Sequence, residues 1–66
     1  MHEVIYYTVE DGDGQILQKA DTLRDALIWV KNHRTRGRRY ICGFQQLRDA
    51  DGDVMDEIPV YEKRVA

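Results

Sequence analysis

Four arginines stand within six residues, Arg34-Thr35-Arg36-Gly37-Arg38-Arg39, directly before Tyr40. A guanidinium is a planar fork of N–H donors that grips a phosphate or carboxylate through two hydrogen bonds at once. Arg34, Arg36, Arg38 and Arg39 are therefore candidates for contact with a nucleic-acid backbone or an acidic protein surface. They also make sense as a solvated connection whose charge offsets Glu10, Asp11 and Asp13. A second cluster has the opposite sign, Asp49, Asp51, Asp53, Asp56 and Glu57. It offers carboxylates to a basic partner. Asp49-x-Asp51-x-Asp53 has the spacing of the first ligands of a calcium loop. Val54, however, stands where that loop needs glycine, and Val60 where it needs a bidentate glutamate. The pattern reads as an acidic turn, and no metal is expected.

Nucleophilic chemistry has little to work with. The chain has no serine, and Cys42 is its only cysteine. Cys42 with His33 is the sole conceivable nucleophile and base, yet Cys42 falls inside a strand-like run, where a free cysteine behaves as a small apolar residue. His2, His33 and Cys42 lack zinc-ligand spacing, and His33 suits the cationic end of a helix. No glycine pair forms a phosphate loop leading into a helix. The expectation is a protein without catalytic residues or cofactors.

Sixty-six residues make one domain, spanning 1–66, near the lower size for folding without disulfides or metal. Apolar residues are 42% of the chain and charged ones 33%, with a net charge of −2, so the balance favours neither nonspecific nucleic-acid binding nor an acidic tail. A single cysteine fits a reducing compartment. No apolar run is long enough to span a bilayer, and Met1-His2-Glu3 lacks the pattern of a signal peptide, so a soluble, cytoplasmic protein is expected.

The elements that position these residues are marked by a turn written twice. Asp11-Gly12-Asp13-Gly14 interrupts one alternating run and Asp51-Gly52-Asp53 another, and Asp-Gly between strands is a strong hairpin signal. Val4–Val9 is β-branched and aromatic and apolar on both faces, as a central strand would be. Gln15–Ala20 reads as a more exposed partner. Leu23, Ala26, Leu27 and Val30 fall at helical spacing, with Thr22 as cap, Asp25 three residues on, and Lys31, His33 and Arg34 in the last turn. Tyr40–Leu47 is the third strand, where Gly43 suggests a bulge or a close backbone approach. Val54–Tyr61 is the fourth, where Pro59 places the strand at an edge or ends it, with residues 62–66 as a frayed tail.

The order is ββαββ, an α+β fold with a largely antiparallel four-stranded sheet and one helix packed on one face. Connectivity puts the basic stretch beside the first turn and the acidic second turn at the opposite end, near the helix start. The other face is left open, carrying some of Val4, Tyr6, Tyr40 and Tyr61. In size, order and turn chemistry the chain resembles the small ββαββ proteins of bacteriophages and mobile elements, including some anti-CRISPR inhibitors, and several short bacterial domains of the same order. The matching parts are Val4–Val9, the Asp11–Gly14 turn, the Thr22–His33 helix and the second Asp-Gly turn. The resemblance implies a stoichiometric binder that blocks a protein surface. The partner would be a protein, met through the acidic end. The alternatives are nucleic acid, met through the arginine stretch, and a homodimer built on the sheet face; no membrane is expected.

Overall fold

Periodicity of two, then 3.6, then two again yields β1 (His2–Asp11), β2 (Ile16–Ala20), α1 (Leu23–Asn32), β3 (Arg39–Arg48) and β4 (Val54–Arg64). The structure is a computed structural model that describes residues 2–34 and 36–65. The strands form one antiparallel sheet in the order β2-β1-β3-β4. β1 is central and β2 and β4 are the edges, as their apolar patterns and Pro59 require. Among the described residues, no helix is long and apolar enough to cross a membrane.

The two turns are the same turn. Asp11 Oδ1 accepts from the backbone N–H of Asp13 and Gln15, each at 2.9 Å. Asp49 Oδ1 accepts from those of Asp51 and Asp53, at 2.9 and 3.0 Å. In both, the glycine N–H closes on the aspartate carbonyl at 3.1 Å. Gly14 and Gly52 then take φ of 83° and 84°, which a side chain would resist. The repeated Asp is thus the keystone of each hairpin, and the glycine three residues later is its hinge.

α1 begins as its sequence dictates, with Thr22 Oγ1 accepting from Asp25 N–H at 3.1 Å. It ends at His33, whose N–H donates to the Trp29 carbonyl. Leu23, Ala26, Trp29 and Val30 face the sheet, while Leu27 lies on the flank and is half exposed. The buried stripe is therefore rotated from the expected one, and Trp29 takes the place of Leu27. The helix packs on β1, β2 and β3. It also covers only one end of the sheet. β2 ends opposite Tyr7, so α1 starts about 16 Å along β1 from the His2↔Arg48 pair. The acidic second turn stands at that far end, away from the helix start.

β4 runs three residues beyond its expected end at Tyr61. β3 starts at Arg39 and offers a ladder throughout, pairing Tyr40 with Arg64, and Val65 N–H donates to the Arg39 carbonyl at 2.8 Å. Glu62–Arg64 are strand, not frayed tail, and Ala66 lies outside the described residues. Asp49 N–H donates to Asp53, so odd-numbered β3 residues face β4. Pro59 sits opposite Phe44, and its missing N–H therefore falls on the free edge, where the ladder loses nothing.

Gly43 stands opposite a bulge in β4 and is itself a point of close approach. The register slips between Gly43 and Phe44, and a Cβ on Gly43 would meet Tyr7 Cε1 at 2.8 Å and Tyr61 Cβ at 3.0 Å. Gly43→Ala should cost about 1–3 kcal/mol, since both neighbours are held in the packed face. Gly12→Ala should be neutral or slightly stabilising, because Gly12 has no positive φ and its new Cβ meets only ordinary contacts. Urea unfolding of the two variants beside the parent checks both.

Candidate binding surfaces

The sheet has two faces of different character. On the helix side, rows run across the strands. Val9 and Ile41 form one, and Tyr7, Gly43 and Tyr61 the next, both under or beside α1. Beyond the helix come Ile5, Gln45 and Ile58, then Glu3, Leu47 and Asp56. These last two rows have no helix over them. Ile5 is 50% exposed and Ile58 42%. Apolar residues thus alternate with carboxylates and an amide on a bare half-sheet.

On the opposite face the side chains satisfy one another. Tyr6 Oη donates to Glu57 Oε1 at 2.5 Å, and Gln46 Nε2 donates to Glu57 Oε2 at 3.0 Å. Arg48 donates twice to Gln46 Oε1, at 3.2 and 2.8 Å. The Tyr6 ring stacks on Phe44 at 5.4 Å between centroids, and Lys19 Nζ lies 4.5 Å from the centre of the Tyr6 ring. A face so fully hydrogen-bonded suits water.

Of the expected open-face residues, Val4, Tyr6 and Tyr40 lie here by register. Tyr61 does not: it stands opposite Gly43 on the helix side, edge-on to Tyr7 at 6.2 Å. The bulge at Val60 adds one residue to β4, and alternation read along the strand does not reveal it. Phe44 is the aromatic that sequence reasoning missed; its alternation with Cys42 and Gln46 was the signal available.

The five acidic residues do not form one patch. Asp49 spends Oδ1 inside its turn, and Glu57 is held by Tyr6 and Gln46. Asp51 and Asp53 remain exposed at the hairpin tip, and Asp56 belongs to the bare half-sheet. The arginines divide similarly. Arg39 folds back, donating from Nη1 to the Arg38 carbonyl at 2.8 Å and from Nη2 to that of Arg36 at 3.4 Å, while its Nε is buried without a partner. It staples the loop. Arg34, Arg36 and Arg38 are exposed at the end opposite the acidic tip.

Cys42 and His33 are separated by the sheet. Cys42 pairs with Thr8 in the open-face row, whereas the His33 ring stacks on Trp29 at 4.3 Å and its Nδ1 lies 2.9 Å from the Trp29 carbonyl. A carbonyl only accepts, so Nδ1 carries the hydrogen. Burial pushes the Cys42 thiol up to about 11, with the Glu10 and Glu62 carboxylates adding to it. Among the described residues, no three His, Cys, Asp or Glu side chains converge to hold a metal ion. Comparison with known protein families, curated sequences and solved structures finds no match to this chain.

Two outcomes follow from these environments. At pH 8 a thiol of pKa about 11 is roughly 0.1% thiolate, so Cys42 should react with a disulfide reagent about a hundredfold slower in the folded protein than in urea. A native rate equal to the unfolded one would mean that the burial is lost in solution. The Tyr6–Glu57 bond also carries a pH signature. The hydrogen bond from Tyr6 holds the Glu57 carboxyl below its usual range, with Gln46 and Lys19 adding to it. Accepting by Glu57 in turn raises the Tyr6 phenol. Glu57 therefore stabilises the fold above the ordinary carboxylate pKa, and that stability goes as pH falls through its lowered folded value. Tyr6 stabilises it below the ordinary phenol pKa, and that stability goes as pH rises through its raised one. Thermal melts across pH should show both the acid-side and the alkaline-side slopes reduced in Glu57→Gln and in Tyr6→Phe alike, because each variant removes the bond that shifts both groups.

Proposed function

We propose that this chain is a non-catalytic interaction module that covers a surface of a protein partner one-to-one, as a small inhibitor or accessory protein of phage type would. The observation that carries this is the bare half-sheet, in which Ile5, Leu47 and Ile58 are framed by Glu3 and Asp56 and continue into the acidic tip at Asp51 and Asp53. A 7.8 kDa chain of ordinary compactness exposes about 4,400 Å², and this one exposes 4947 Å². Its projecting hairpin contributes apolar area to that surface, and exposed apolar area edged with charge is the usual composition of a contact site. The complementary partner presents an apolar strip flanked by Lys or Arg, such as one face of a basic amphipathic helix.

A phosphate-bearing polymer is the rival partner, favoured by the exposure of Arg34, Arg36 and Arg38 on one loop. Fluorescence anisotropy separates the two. The probes are a labelled amphipathic peptide with leucines on one face and lysines beside them, and a labelled DNA duplex. Peptide binding should weaken with salt and fall at least about tenfold in both Ile58→Asp and Asp51→Lys/Asp53→Lys. Arg36→Ala/Arg38→Ala should leave it unchanged. Salt-sensitive DNA binding that the arginine variant loses, with no peptide binding, would overturn the proposal in favour of the rival.

A further inference from the structure

The helix repeats, on its outer side, the chemistry that the bare half-sheet asks for. Leu23, Ala26, Trp29 and Val30 account for the buried side of α1. On the rest of its surface lie Leu27 and Ile28, each 45% exposed, flanked by Arg24 and Lys31 along one shallow groove. A helix that is apolar on its solvent side as well as its core side is ordinarily buried on both. The strip is therefore apolar with a basic border, and the half-sheet is apolar with an acidic border.

Resting on the interaction-module reading above, we infer that the surface seated on the bare half-sheet is α1 of a second copy of this chain, in a head-to-tail two-fold dimer. Three features agree on that arrangement. The first is shape. The molecule is a step, 42 Å along its longest axis, with α1 raised over one end only. The ten residues of α1 span about 15 Å, which matches the roughly 16 Å of sheet left bare beyond it. Two such steps inverted on one another interlock into a sheet–helix–sheet sandwich, each helix lying between its own sheet and that of the second copy.

The second feature is charge along the contact. Inversion lays Lys31 of one copy over the row holding Glu3 and Asp56 of the other, with Arg24 about 10 Å back along the helix and Ile28 and Leu27 above Ile5, Leu47 and Ile58. The third is charge at the ends. The same inversion brings the exposed Arg34, Arg36 and Arg38 of each copy beside Asp51 and Asp53 of the other. An isologous contact doubles each of these pairings, because every patch is used twice. It also enlarges a core that in one copy holds, among the described residues, only Val9, Ala26 and Ile41 as fully buried apolar side chains.

Sedimentation equilibrium tests this on the intact chain, from roughly 1 μM to 1 mM, where weak and moderate interfaces dissociate. The parent should pass from monomer to dimer within that range. Ile28→Asp, at an exposed helix position, should raise the dimer dissociation constant at least about tenfold while leaving the far-ultraviolet circular dichroism unchanged. Two charge-reversed chains give the stricter readout. Arg24→Glu/Lys31→Glu and Glu3→Lys/Asp56→Lys should each be monomeric alone and form a heterodimer when mixed, because mixing restores both halves of the two-fold contact. A dimer that Ile28→Asp leaves intact, or that does not respond to charge reversal and mixing, would overturn the inference by placing the contact elsewhere. A parent that is monomeric throughout would overturn it too. If that monomer still binds the leucine–lysine peptide, the interaction-module reading stands with a different partner; if it does not, both fall.

Discussion

The packing of Val9, Ala26 and Ile41 at one end of the sheet is the contact on which the rest of the molecule depends. Ala26 is small enough to let the helix backbone approach, and the two β-branched residues from adjacent central strands fill the space beneath it. Everything else is arranged around that point. Tyr7, Ala20, Leu23, Trp29, Val30, Tyr61 and Val65 ring it, partly buried. One ten-residue helix spans only about 15 Å, so ten- and eleven-residue strands outrun it. The bare half-sheet and the exposed apolar hairpin both follow from this one mismatch of lengths.

The central seam joins β1 to β3, which are distant in the chain, while both outer seams are local hairpins. Each hairpin is fixed by its own Asp and Gly, independently of the core. Turn chemistry therefore carries much of the register that a larger hydrophobic core would otherwise impose. Gly43 carries the remainder, because no residue with a side chain would let Tyr7 and Tyr61 close over the seam.

What was legible in the sequence was local. The Thr22 cap, the Asp-Gly turns, the edge position of Pro59 and the special role of Gly43 each depend on a few neighbouring residues, and each stands where it was expected. So does the opposition of basic loop and acidic turn, since connectivity alone decides which element ends meet. What was not legible depends on register across strands. The bulge that turns Tyr61 toward the helix leaves no mark in the apolar pattern of β4. The engagement of Asp49 in its turn and of Glu57 by Tyr6 could not be separated from free carboxylates in a run of acids. Arg39 likewise looks the same as Arg36 and Arg38 until its guanidinium is seen to close on their carbonyls.

The proline on the free edge of β4 has a meaning for the sheet as a whole. A sheet margin with continuous N–H and C=O groups is a template on which further strands add without limit. Pro59 removes a donor from that margin, and the irregularities at Met55 and Val60 break its repeat on either side. At the other margin β2 is five residues long and carries Lys19. The margin is thus short at β2 and interrupted at β4, while His2–Tyr6 of β1 extend past the end of β2. With this much apolar surface in water, these breaks disfavour the continuous edge-to-edge addition of strands that builds fibres.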